Sequence, residues 1–159
     1  MRLKTRILLC ASALLIAAVT VCCVVILRIV HDQLKDEAMT AAKADFSDAR
    51  FSMPYSMFSS QDRMIEDSYM LHFVRSSDIA DELTLKSSDR YLMNNTGFAP
   101  EPYLFSDDAE DPIRTCYARV FGTLYLMAGE KVYLHEQAYT VCLVRNMSKL
   151  DQTVHDLAL

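Results

Sequence analysis

Side chains able to do chemistry are few in this chain, and their spacing suits none of the common reactions. His135-Glu136 opens like the zinc-protease helix motif, but the fifth residue is Tyr139 instead of a second histidine. The pair also lies between strand-like stretches, so it reads as a polar turn. The histidines at 31, 72, 135 and 155 share no metal-ligand spacing. Gly97, Gly122 and Gly129 are the only glycines, too scattered for a phosphate loop or a dinucleotide fingerprint. No nucleophile elbow is present. The densest carboxylates are Asp107, Asp108, Glu110 and Asp111, a set that suits a hard cation such as Ca²⁺ or Mg²⁺. Between Pro102 and Pro112, however, such a run is expected as a solvated loop. No cofactor and no resident metal are therefore expected, and the chain is not expected to be an enzyme.

These residues hang on a chain whose first feature is physical. Ile7 to Leu27 is a run of twenty-one residues without charge, Pro or Gly. A helix of about 20 apolar residues crosses the hydrocarbon core of a bilayer. Arg2, Lys4 and Arg6 precede the run and Arg28 follows it, after which Asp32, Asp36 and Glu37 turn the chain acidic. Basic residues resist translocation, so the N-terminus is expected in the cytoplasm and residues 31–159 outside the cell membrane. The run is too long for a cleaved signal peptide and ends without small residues, which predicts a single-pass anchor. Residues 1–30 then form tail and span, and residues 31–159 one extracytoplasmic domain.

All 21 acidic residues follow Arg28, whereas Arg2, Lys4, Arg6 and Arg28 take four of the 16 basic ones. The exported part thus carries about nine net negative charges, which argues against nucleic acid as a partner and against a domain lying flat on anionic lipid. Of five cysteines, Cys10, Cys22 and Cys23 fall in the apolar run as filler. Cys116 and Cys142 remain as a candidate disulfide if their strands turn out to be neighbours.

Val30, Leu34, Ala38, Ala42, Phe46, Ala49 and Met53 recur at helical spacing, predicting a juxtamembrane helix over residues 31–53 that continues the span until Pro54. Its alanine-rich stripe suits a second copy of the chain, giving a homodimer, or its own domain. Ser59-Ser60 caps a second predicted helix, Gln61 to Arg75, with Met64, Ile65, Tyr69, His72 and Phe73 on one face. Residues 79–146 form the sheet region. Glu82 to Lys86 and Arg90 to Met93 flank the Ser87-Ser88-Asp89 turn as a hairpin, closed by Asn94-Asn95-Thr96-Gly97, which tolerate positive φ. Phe98 to Pro112 reads as a loop. Arg114–Phe121, Thr123–Met127, Lys131–Leu134 and Tyr139–Arg145 read as strands separated by turns at Gly122, Gly129-Glu130 and His135-Glu136-Gln137. Such short connections require antiparallel pairing. Val120, Leu124, Leu126, Val141 and Leu143 are the predicted core. Ser148-Lys149-Leu150-Asp151 starts a helix over 148–159 with Leu150, Val154 and Leu157 at helical spacing.

Assembled in this order, the residues resemble the N-terminal sensor segment of Gram-positive-type sensor histidine kinases. The resemblance rests on the basic tail, the span and the outgoing helix, and on Tyr91-Leu92-Met93-Asn94-Asn95-Thr96-Gly97-Phe98. It also rests on Tyr139 to Ser148, similar to the closing strand of those sensors, although Asn146 and Met147 replace the usual Asp and Ile. It implies an α+β fold: a transmembrane helix continuing into a long helix, a PAS/Cache-like antiparallel sheet of about five strands, and a C-terminal return helix. It further implies the signal-input part of a two-component system, which detects a small ligand or an envelope protein. Leu34, Ala38, Ala42 and Phe46 going out, and Leu150, Val154 and Leu157 returning, would carry the signal. In that family a second span, HAMP linker, phospho-acceptor helix and ATP-binding domain should follow, and the chain reaches Leu159 before any of them, so it resembles a sensor half without its kinase: a fragment, a truncated reading frame, or the partner of a separately encoded half. Val154-His155-Asp156-Leu157 echoes a phospho-acceptor box without its Thr-Pro, and His155 reads as a surface residue. A single-pass envelope adaptor without signalling output is the alternative.

Overall fold

The computed structural model describes residues 3–51, 63–88, 90–106, 111–134, 137–149 and 152. Helix α1 runs over Leu3–Phe51 and α2 over Arg63–Ser76. A single 3₁₀ turn, Ala80–Glu82, leads into β1, Leu83–Ser87, and β2, Tyr91–Met93. After α3, Glu101–Leu104, come β3 (Arg114–Val120), β4 (Thr123–Leu134) and β5 (Gln137–Asn146). The chain divides after Glu37 into two units, the first holding α1 up to that residue and the second running from Ala38 to Lys149.

In the first unit α1 is long and apolar enough to cross a membrane, and Ile7, Leu8, Leu14, Leu15, Ile16 and Val21 are all exposed along it. Side chains this apolar, left uncovered by protein, suit lipid as solvent.

The second unit is an α+β domain built on one five-stranded antiparallel sheet of order β2-β1-β5-β4-β3. Both faces of the sheet are covered, so the central strand β5 is buried along most of its length instead of alternating with solvent. On one face Leu83, Leu85, Leu126, Ala128, Tyr139, Val141 and Leu143 pack against Ala42 and Phe46 of α1 and Met70 and Val74 of α2. The alanine stripe of α1 thus covers its own sheet. Phe46, 3% exposed, contributes about 2 kcal/mol through its burial alone. On the other face Val120, Met127, Cys142 and Val144 pack with Leu104 of α3. The predicted core residues Val120, Leu124, Leu126, Val141 and Leu143 are all buried.

Several expectations need correcting. The segment read as two strands with a turn at Gly129-Glu130 is one twelve-residue strand, β4, and Gly129 pairs with Arg114 and Cys142 inside it. This glycine serves close packing and not a turn: a Cβ there would lie 2.9 Å from Leu104 Cδ1, 3.0 Å from Cys142 Sγ and 3.1 Å from the Val141 oxygen. Gln137, expected in a turn, is a buried residue of β5. On α2 the buried face is Glu66, Met70 and Val74, while Met64, Ile65 and His72 are exposed. The apolar residues sit on two sides of this helix, and the sheet covers the side carrying Met70 and Val74. Part of the predicted Phe98–Pro112 loop is the short helix α3. In the Asn94–Gly97 closure only Gly97 has positive φ, at 74°. Of the predicted 148–159 helix, Ser148, Lys149 and Gln152 are helical. Leu150, Val154, His155 and Leu157 lie outside the described residues, as do Pro54, Ser59-Ser60 and His135-Glu136.

The turn joining β3 to β4 is Phe121-Gly122, with φ of 49° and 83°. Two-residue hairpins of this hand favour Asn-Gly, because both positions need the left-handed region. A phenylalanine there costs of order 1 kcal/mol in backbone strain, and its ring is 92% exposed.

Candidate functional site

Arg145 stands where three elements of the second unit meet. Odd-numbered residues of β5 point to the helix-covered face, and Arg145 is the last of them, at the margin of the apolar core. Its Nε lies 3.1 Å and 2.9 Å from the two carboxylate oxygens of Glu82, and its Nη2 donates to Glu82 Oε2 at 2.7 Å. Nη2 also donates to Asp45 Oδ2 of α1 at 3.1 Å. The fork geometry suits arginine and no other cation. The hydrogen bonds that the guanidinium donates to Glu82 foremost, and to Asp45, hold its pKa above the ordinary value against the opposing effect of burial. The side chains are 27% exposed at Arg145, 36% at Glu82 and 45% at Asp45. Water screens pairs of this kind, so each adds at most about 1 kcal/mol to stability. Their value lies in register: α1, the entry to β1 and the exit of β5 are tied at one point.

Asp67 of α2 makes a second tie. It accepts from Tyr139 Oη of β5 at 2.9 Å through Oδ1 and from Arg90 Nη2 at 3.2 Å through Oδ2. Between the distal end of α1 and the end of α2 lies an open cleft of about 340 Å³, walled by Asp45, Asp48, Phe73, Ser76, Ser77 and Asp78. Asp45 therefore borders the cleft while it holds Arg145.

The opposite face of the sheet carries another polar group. Tyr91 Oη donates to Glu101 Oε2, and Lys86 Nζ lies 3.5 Å from Glu101 Oε1 and 5.2 Å from the centre of the Tyr91 ring. Burial first, and then the bond to Glu101, raise the Tyr91 pKa. The Asn94–Phe98 segment is held by its own side chains. Asn94 Oδ1 accepts from the Thr96 N–H at 3.0 Å, and Asn94 Nδ2 donates to the Phe98 carbonyl at 3.0 Å. This self-closing turn explains Asn94 and Thr96 in the Tyr91–Phe98 motif, and it positions α3 over the sheet.

Of the residues singled out in sequence, Ala38, Ala42 and Phe46 are brought together against the sheet. Leu34 belongs to the first unit and is exposed. Cys116 and Cys142 are both free thiols, which corrects the candidate disulfide. They stand on β3 and β5, which are separated by β4, so their strands lie about 10 Å apart, beyond disulfide reach. Burial raises the pKa of both thiols. Asp107, Asp108 and Glu110 lie outside the described residues, and Asp111 pairs with Lys43 Nζ at 3.3 Å. Among the described residues no group of three or more His, Cys, Asp or Glu is arranged to hold a metal.

Two features escaped the sequence. The Asp45–Arg145–Glu82 tie joins residues up to 100 positions apart, and only the resemblance drew notice to Arg145. Tyr91 with Glu101 carries no local pattern at all. Comparison with family models, curated proteins and solved structures returned no match to this chain.

Proposed function

We propose that the chain is the signal-input part of a two-component sensor histidine kinase, with a PAS/Cache-like sensor sheet outside the membrane. The observation that carries this reading is the double membership of α1. Its first part has the composition of a membrane span, and its last turns, through Ala42, Phe46 and Asp45, form part of the sensor domain's core and of its charged tie. The strand order β2-β1-β5-β4-β3, with the first strand beside the last at the centre, supports the PAS/Cache-like identity. An event at the cleft beside Asp45 competes with Arg145 for that carboxylate and shifts α1 against the sheet. For a signal to pass, the two helix positions must lie within a few kcal/mol of each other, a gap that exchanging one partly exposed ion pair is large enough to tilt. Phosphotransfer belongs to the domains such an input is joined to.

The test is a chimera in which this chain replaces the input segment of a sensor kinase that keeps its own second span and catalytic domains. Arg145→Ala should shift basal kinase output at least severalfold, with the protein present at the wild-type level in the membrane. Output indifferent to every change at Asp45, Glu82 and Arg145 would favour the envelope-adaptor reading, in which the domain holds a partner and sends nothing inward.

A further inference from the structure

The β3–β4 hairpin ends in a residue that the fold itself does not use. Phe121 is 92% exposed and sits at φ 49°, where asparagine or glycine would be relaxed. The backbone conformation disfavours the folded domain, and the exposed ring recovers none of that cost through burial within it. From Arg114 to Gly129 the hairpin carries two arginines and no acidic residue, whereas the exported segment as a whole is strongly acidic. Arg119, beside the tip, donates from Nη1 to the Gly122 carbonyl at 3.1 Å.

The position of the tip follows from registers inside the second unit. Asp45 of α1 bonds Arg145, and Ala49, one turn further along α1, shares an apolar cleft with Val141, four residues earlier in β5. Helix and strand therefore run in opposite directions, and the end where α1 enters the domain is the end where β5 leaves it. Tyr125 pairs with Asn146 and the Met147 N–H bonds the Leu124 carbonyl, which puts the Phe121-Gly122 tip at that same end. Ten residues, 28–37, separate Leu27 from Ala38. Fully extended, a tether of that length spans at most about 40 Å. A tether this short keeps the domain near any bilayer that takes the span, and the apolar tip with Arg119 lies at the end of the domain that the tether joins.

We propose that the Phe121-Gly122 tip of the β3–β4 hairpin docks into the lipid headgroup region of the membrane that takes the apolar part of α1. This rests on the reading of α1 as a span. Arg119 faces the phosphates, and the acidic remainder of the domain stays clear of the surface, so contact is confined to the tip.

The chain contains no tryptophan, so a single substitution gives a unique reporter. The full chain carrying Phe121→Trp is reconstituted into vesicles of phosphatidylcholine and phosphatidylglycerol. The control is Tyr133→Trp, 68% exposed at the opposite end of β4. Circular dichroism verifies that both variants keep the wild-type spectrum. Vesicle flotation tests the span separately: protein that fails to float refutes the span reading itself. In floating protein, the indole of the Phe121→Trp variant should emit at shorter wavelength than that of the Tyr133→Trp control. The tip indole should lose at least half its emission to acyl chains brominated near the headgroup and resist aqueous iodide, with the control indole behaving oppositely. Two outcomes overturn the proposal: equal iodide quenching in the two variants, or protection of the tip indole that brominated lipid does not quench and that grows with protein density, the mark of a second protein chain.

Discussion

Gly129→Ala probes the packing that made β4 one strand instead of two. The backbone at Gly129 is ordinary strand, so alanine meets no conformational penalty and gains about 0.4–1 kcal/mol by restricting the unfolded chain. Against this stands the space. The new methyl would sit 2.9 Å from Leu104 Cδ1, 3.0 Å from Cys142 Sγ and 3.1 Å from the Val141 oxygen. Relaxed carbon contacts lie at about 3.5–4.0 Å, so several tenths of an ångström must be found on three sides. Leu104 is the movable neighbour, but at 3% exposure it has nowhere open to go. The Val141 oxygen belongs to the β4–β5 ladder and cannot retreat without lengthening it. Overpacking of this kind costs about 1–3 kcal/mol, leaving a net loss of about 1–2 kcal/mol and a fall in Tm of about 5–10 °C. Thermal unfolding of the full chain in detergent, followed by near-ultraviolet tyrosine dichroism so that α1 does not dominate the signal, measures it. An unchanged or raised Tm would refute the close-packing account of Gly129.

Two further expectations concern pH and topology. The thiol of Cys142 and the phenol of Tyr91 titrate higher in the folded domain than in the unfolded chain, where they ionise near 8.5 and 10. Raised folded-state values mean that stability is fully present below those unfolded values and is lost as pH climbs above them. The urea midpoint should stay level between pH 7 and 8 and decline by pH 10, and a midpoint rising over that interval would contradict the sign. In a cysteine-free background, Ser106→Cys should react with an impermeant maleimide on intact cells; reaction only after lysis would reverse the orientation read from Arg2, Lys4 and Arg6.

How much of this was legible beforehand follows from the range of the forces involved. The apolar run, the helix through Phe46, the β1–β2 hairpin and the inward residues of β5 are local patterns, readable because period and composition are written along the chain. Gly129 misled, since a glycine kept small for close approach and one kept for a turn look alike in sequence. Met64 and Ile65 misled because α2 has apolar residues on more than one side, and only the sheet decides which side is covered. The Arg145 tie was invisible for a different reason. Its partners are ordinary surface charges until the fold sets Asp45, Glu82 and Arg145 within hydrogen-bonding distance.

The central claim, that α1 and the sheet are coupled through Arg145, is tested most directly by a double-mutant cycle on signal output. In the kinase chimera, Asp45→Asn, Arg145→Ala and the double variant are compared at equal membrane abundance. The account predicts that Asp45→Asn shifts basal output in the same direction as Arg145→Ala, and that the double variant matches Arg145→Ala alone, because a lost partner cannot be lost twice. Independent, additive shifts, or no shift in any of the three, would contradict it.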